Sequence, residues 1–167
     1  MQHIESFPPI ETADARILIL GSMPGEASLR ANQYYAHPRN LFWRIMGELL
    51  GIDPVSPYSQ RVQALKSARI ALWDVLRSCR REGSLDSSID DGSLVPNDLA
   101  AFFLNHPGIT HVFFNGSRAE QCYRKHVCPG SGSGAIQYLR LPSTSPANAS
   151  VSCARKLEAW RVIATCT

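Results

Sequence analysis

No uninterrupted apolar stretch in this 167-residue chain approaches the roughly 18 residues that a membrane-spanning helix needs. The opening, MQHIESFPPIETAD, is polar and acidic rather than basic and then greasy. A soluble, unprocessed, cytoplasmic chain with no membrane partner is therefore expected. The five cysteines, Cys79, Cys122, Cys128, Cys153 and Cys166, are odd in number and widely spread, with no CxxC and no Cys/His pair at zinc spacing. Free thiols without a metal or cluster are the expectation, and Cys122 with Cys128 comes nearest to a ligand pair. The phosphate-binding patterns GxxxxGKS/T and GxGxxG are both missing, which argues against nucleoside triphosphate hydrolysis. In GSGSG, residues 130–134, Gly132 stands where a GxSxG nucleophile elbow needs serine, so this stretch reads as a flexible connection. Internal repeats, coiled-coil patterns and linker-joined domains are not visible either.

What the chain does have is the composition of a folded protein, 44% hydrophobic and 19% charged, at a length that suits one domain over residues 1–167. Its net charge of +3 is unevenly placed: residues 1–104 carry 10 basic and 12 acidic side chains, residues 105–167 carry 7 and 2. The C-terminal third is thus the basic third. Among the basic residues only Lys66, Lys125 and Lys156 are lysine, and arginine's planar fork suits phosphate recognition.

The segment RILIL, residues 16–20, is a short apolar run stopped by Gly21 and reads as a buried strand. Residues 21–40, GSMPGEASLRANQYYAHPRN, read as a long structured loop. In LFWRIMGELL the residues Leu41, Phe42, Ile45, Met46, Leu49 and Leu50 share one helical face, closed by Gly51. IALWDVL, residues 70–76, reads as a second buried strand, and the polar RSCRREGSLDSSIDDGS after it as an exposed loop. NDLAAFFLN reads as a short helix, HVFFNG as a third strand, SRAEQCYRKHV as a helix capped by Ser117, QYLRLP as a fourth strand, and residues 151–165 as a final helix. This alternation predicts an α/β fold, a three-layer αβα sandwich around a central, largely parallel four-stranded sheet.

Open parallel sheets place their chemistry beyond the carboxyl ends of the strands. Those ends here read GSMPG, DVLRSC, NGS and LPSTSPAN. The GSMPG turn can aim backbone N–H groups at a ligand. Tyr34 and Tyr35 point in different directions, so one can enter the core while the other offers a flat face to a planar ligand, unless both merely pack. Asn40 either caps the following helix or takes part in chemistry. Asn115 emerges at a strand end with a donor and an acceptor to offer, as a base-reading amide or as a turn residue. Ser143, Thr144 and Ser145, followed by the Pro146-Ala147-Asn148 tip, form a hydroxyl-rich loop in the basic part of the chain, of a kind that holds phosphates.

In this order, GSMPGEASLRANQYYAHPRNLFW, LWDVLRSCRREGSLDSSI, FFNG and LPSTSPAN resemble the motifs of the uracil-DNA glycosylase superfamily, most closely its hypoxanthine-DNA glycosylase branch, over nearly the whole length. The resemblance implies that fold and a monofunctional enzyme without cofactor, which would flip deoxyinosine out of DNA and hydrolyse its N-glycosidic bond. Relatives of a neighbouring branch carry a water-positioning asparagine where Met23 stands. Methionine cannot hold that water, and the role passes by resemblance to Asn40. The same comparison gives Tyr35 the stacking role and Asn115 the polar edge of the base, with backbone contacts from Ser22, Met23, Pro24 and Gly25. Ser143, Thr144 and Ser145 would hold DNA phosphates, Arg39 would be a further phosphate contact, and Pro146, Ala147 and Asn148 would form a small wedge. Asp74 is expected to anchor loop backbone rather than reach the water, and His37 to hold its own loop rather than protonate the leaving base. No lysine falls in the matching motifs, so strand cleavage through a Schiff base is not expected. The implied partner is DNA with deaminated bases, double- or single-stranded, bound by a monomer. A uracil or xanthine glycosylase, or a nucleic-acid-binding module without the chemistry, are the alternatives.

Overall fold

The apolar runs form strands because turn residues stop them at once and both their faces find cover. A computed structural model describes residues 1–127 and 135–167; the GSGSG connection and Cys128 lie outside the described residues. The strands are β1 (Gln2–Glu5), β2 (Ile17–Gly21), β3 (Ile70–Asp74), β4 (Leu76–Arg81), β5 (Val95–Pro96), β6 (His111–Asn115) and β7 (Gln137–Leu141). The helices are α1 (Glu26–Ala31), α2 (Phe42–Leu50), α3 (Tyr58–Ser67), α4 (Leu99–Asn105), α5 (Ser117–His126), α6 (Cys153–Trp160) and α7 (Val162–Cys166).

The central sheet runs β3-β2-β6-β7, with every pairing parallel. All five residues of β2 are buried, as expected of a parallel strand covered on both faces. Along β2 the side chains alternate: Leu18 and Leu20 join a core layer with Phe102 of α4 and Ala119 and Tyr123 of α5. Ile17 and Ile19 join the opposite layer with Phe42, Ile45 and Met46 of α2, Leu65 of α3 and Trp160 of α6. This is the three-layer sandwich expected from the sequence. Gly51 closes α2 in the left-handed conformation, φ 71°, where a Cβ would be strained.

Several local expectations give way to tertiary effects. The 21–40 loop contains the helix α1. The strand expected over 70–76 ends at Asp74, and Arg77–Arg81, expected as exposed loop, joins Leu76 in β4, which with β1 and β5 forms a second, antiparallel sheet in the order β1-β4-β5. Ser117 is the first residue of α5, and the capping position belongs to Gly116 at φ 93°. The final helix breaks at Arg161 into α6, capped by the Ser152 hydroxyl, and α7.

Candidate active site

Register brings the carboxyl ends of the four strands level: Gly21 pairs with Asp74, and Asn115 with Leu141. Over these ends lie the 21–40 segment and the 143–148 loop. Tyr34 is the buried member of the tyrosine pair, 4% exposed. Its hydroxyl donates to Pro8 O at 2.8 Å, and its carbonyl accepts from the Trp43 indole at 2.7 Å. This anchoring turns Tyr35 back over the strand ends at φ 55°, a left-handed conformation that residues with a Cβ rarely adopt. The half-buried Tyr35 ring stacks on Phe42, centroids 4.3 Å apart and planes inclined at 30°.

The Tyr35 hydroxyl reaches the floor of the site, where it has no hydrogen-bond partner among the described residues. Burial, and then the nearby Asp74 carboxylate, drive its acidity down, while the Asn115 amide works the other way. Asp74 is 3% exposed, and its Oδ2 is likewise without a partner. Burial, reinforced by Asp86 and opposed by Arg81, pushes its pKa up to about 7. A Cβ on Gly21 would meet Asp74 Oδ1 at 2.5 Å and the Tyr35 hydroxyl oxygen at 2.8 Å. Only glycine leaves room for both. The expected anchoring of loop backbone by the Asp74 side chain is not what the structure has: its backbone carbonyl does that work, accepting from Asn97 Nδ2 at 2.8 Å.

Asn40 sits half-buried at the edge of this cluster. Its Oδ1 accepts the N–H of Phe42, the first residue of α2, at 2.9 Å, one residue ahead of the helix's capping position at Leu41, while the second lone pair and the amide N–H groups keep their capacity. The next residue ties this turn to the other loop, since the Leu41 N–H donates to Thr144 O at 3.0 Å. His37 belongs to the turn itself, its Nδ1 accepting the Arg39 N–H at 3.1 Å. Arg39 is exposed, with its guanidinium in no ion pair among the described residues.

One expectation needs correction. Thr144, expected at DNA, is fully buried at 0% exposure. Asn115, expected at the polar edge of the base, grips Thr144: its Nδ2 donates to the Thr144 hydroxyl at 3.0 Å and its Oδ1 accepts the Thr144 N–H at 2.9 Å, which leaves one N–H and one lone pair of the amide. The register of β6 and β7 sets the two side by side, and an amide facing a backbone N–H and a hydroxyl pairs with them before any ligand arrives. Ser143 and Ser145 are half-buried and Ala147 is exposed. Their hydroxyl oxygens accept the Ser145 and Ala147 N–H groups, both at 3.2 Å, which leaves each hydroxyl proton for an outside acceptor.

The GSMPG turn is laced to β4 and the loop after it, a support that the sequence reading missed. The Ser22 hydroxyl donates to Asp86 Oδ1 at 2.7 Å, and the Glu26 N–H to Ser84 Oγ at 2.8 Å. Arg81, 2% exposed, donates to the carbonyls of Pro24 and Gly83. Met23 is buried in the core and cannot present its side chain. Among the described residues its N–H and that of Gly25 meet no acceptor.

Fold and site together define a class: an α/β domain whose parallel strand ends gather an aromatic ring, a phenol, a carboxyl and two amides. The family model for the uracil DNA glycosylase superfamily matches residues 8–164. A hypoxanthine DNA glycosylase of Methanosarcina barkeri is 41% identical over 116 residues, 69% of this chain and 72% of that protein. One of Methanosarcina acetivorans is 36% identical over 158 residues, 94% of this chain and 95% of that protein. The solution NMR structure of a Methanosarcina acetivorans protein, described as a candidate uracil DNA glycosylase, superposes with TM-score 0.77 at 33% identity and covers 97% of this chain and 99% of that one. The chain belongs to the uracil-DNA glycosylase superfamily.

Proposed function

We propose that this protein is a monofunctional DNA glycosylase for deaminated bases, with deoxyinosine as its preferred substrate, acting as a monomer in the cytoplasm. The observation that carries the reading is the meeting of Asn40, the Tyr35 ring and the two unpartnered polar groups at the strand ends. It is supported by two relatives of at least 36% identity that are named hypoxanthine DNA glycosylases. The extruded nucleoside would lie with its base toward Tyr35 and the strand ends and its sugar toward Asn40. Departure of the base gives C1′ oxocarbenium character, and a water held by the second lone pair of Asn40 Oδ1 adds there. The C1′–N9 bond breaks and its electron pair leaves with the purine; the added water gives up one proton and the departing purine takes one up, so that free base and an abasic site remain. The N–H groups of Met23 and Gly25 would stabilise electron density arriving on the base.

The hydroxyl protons of Ser143 and Ser145 would hold flanking phosphates, and the Pro146-Ala147-Asn148 tip would enter the stack. The decisive experiment is release of free base from oligonucleotides that each carry one inosine, uracil, xanthine or oxanine. Inosine is expected to be processed fastest, and no release from any of them would overturn the reading.

A further inference from the structure

Asp74 has no part in the chemistry above, yet it is a buried acid with an unpartnered oxygen. The atom that shares its corner, the Tyr35 hydroxyl oxygen, is buried too, and neither has a hydrogen-bond partner among the described residues. The Asp74 carboxylate, through Oδ1, and the Tyr35 hydroxyl come from separate parts of the chain, the end of β3 and the 21–40 segment, and converge on the Cβ-free face of Gly21. A hidden polar atom without a bond is unfavourable, and two together are explained when a ligand completes them. Stacking on Phe42 and the strained φ of Tyr35 hold the hydroxyl in place, while Asn115, the other amide nearby, is already joined to Thr144.

The chemistry of the two groups selects among bases. Deamination of adenine or cytosine turns an amidine edge, with a ring-nitrogen acceptor and an amino donor, into a lactam edge, with a ring N–H donor and a carbonyl acceptor. A carboxylate only accepts, whereas a phenol can donate. We propose that the Asp74 carboxylate accepts the ring N–H of the extruded base while the Tyr35 hydroxyl donates to the adjacent carbonyl, so that the pair reads the lactam edge; this rests on the glycosylase reading above. Hypoxanthine, xanthine and uracil all present that edge, as do guanine and thymine, so the pair separates lactam bases from adenine and cytosine. Adenine and cytosine would aim a ring lone pair at the carboxylate, a buried mismatch of the kind that rejects an analogue strongly.

The groups facing Asp74 are Asp86, which disfavours its ionisation, Arg81, which favours it, and the Tyr35 and Tyr34 hydroxyls, whose own ionisation its charge opposes. The carboxylate therefore forms as pH rises through neutrality, and excision should rise with it.

The test measures single-turnover release from inosine DNA between about pH 6 and pH 8, with free hypoxanthine or adenine as competitor, for wild type, Asp74→Asn and Tyr35→Phe, alongside melting temperatures. Wild type should be inhibited by hypoxanthine far better than by adenine. Asp74→Asn, whose amide can also donate, should narrow that preference at least roughly tenfold and flatten the pH profile. Tyr35→Phe should slow release about tenfold without lowering the melting temperature, because its buried hydroxyl makes no hydrogen bond among the described residues. Wild-type preference and pH profile in both variants would overturn the inference while leaving the glycosylase reading intact. Equal loss of both competitors together with a lower melting temperature would also overturn it, as the mark of a packing role. No base release by the wild type would overturn the glycosylase reading and this inference with it.

Discussion

The two loops that meet over the strand ends are built on opposite principles. In the 143–148 loop the named polar groups answer one another: Thr144 is held by Asn115 through its N–H and hydroxyl and by Leu41 through its carbonyl. Ser143 O accepts from Asn148 Nδ2 at 3.2 Å, and both serine hydroxyl oxygens accept backbone N–H groups. Across the site, where the 21–40 segment meets β3, the Tyr35 hydroxyl and Asp74 Oδ2 are buried with no partner among the described residues. A loop completed by its own atoms is a pre-set shape. A corner left incomplete by folding is a binding element, and stability is forgone there for recognition.

If that contrast is real, removing the incomplete side's charge should stabilise the protein, and the effect should be the largest of all. Asp74 is raised from 3.8 to about 7, so between about pH 4 and pH 7 the folded protein holds a proton that the unfolded chain has released. Stability therefore falls as pH rises across that window and stays reduced above it, by roughly 4 kcal/mol for a shift of this size. Asp74→Asn, which cannot ionise, should melt at a higher temperature than wild type at pH 8 and differ little at pH 4. Asp86, also raised by burial, leaves a residual slope. Thermal melts across pH decide this, and a variant with the wild-type slope would contradict it.

Asn40 stands between the two loops and belongs partly to each, as the acceptor of the Phe42 N–H and as the expected holder of the water. Asn40→Ala should slow base release by about 10²–10³-fold, the scale set by losing one preorganised group, and should remove about 1 kcal/mol of stability with that hydrogen bond. Asn40→Ser separates the two roles. It restores an acceptor for that N–H without the reach of the amide, so it should recover melting temperature and stay slow. A serine variant with wild-type activity would show that the water is held elsewhere. On the completed side, Asn115→Leu should cost about 2–3 kcal/mol, because Thr144 then loses two buried hydrogen bonds at once. Chemical denaturation measures it, and a cost near zero would mean that Thr144 finds new partners.

How much of this could be read from the sequence follows the same division. β2, α2 and β6 were legible because their apolar runs are continuous or helically spaced and end at Gly21, Gly51 and Gly116. β4 was not, because RSCRR reads as solvent-loving: its burial rests on Arg81 meeting the Pro24 carbonyl and on β1 arriving from the far end of the chain. Nothing local announces either event. The site residues were legible as types at strand ends, since chain order and the parallel sheet bring them level. Their partners were not. That Asn115 faces Thr144 depends on the register of β6 with β7, and that the Tyr35 hydroxyl reaches Gly21 depends on a left-handed residue next to an anchored Tyr34.

The smallest effect belongs to the tip of the completed loop. Ala147 is exposed between half-buried Pro146 and Asn148, and a methyl fills little of the gap that an extruded nucleotide leaves in the stack. Unstacking and unpairing are then poorly offset in a matched duplex and need little offset at a mismatch or in a single strand. Wild type should therefore act faster on inosine opposite thymine, or in single strands, than in a well-paired duplex. Ala147→Leu enlarges the wedge on a loop whose shape is already fixed, so it should raise excision from the well-paired duplex by roughly three- to tenfold, as a kcal or so of added burial allows. It should leave single-stranded DNA unchanged, where there is no gap to fill. Single-turnover rates on the two substrates, taken as a ratio, make the measurement independent of enzyme quality. An equal change on both would mean that the tip acts through general DNA affinity and is no wedge.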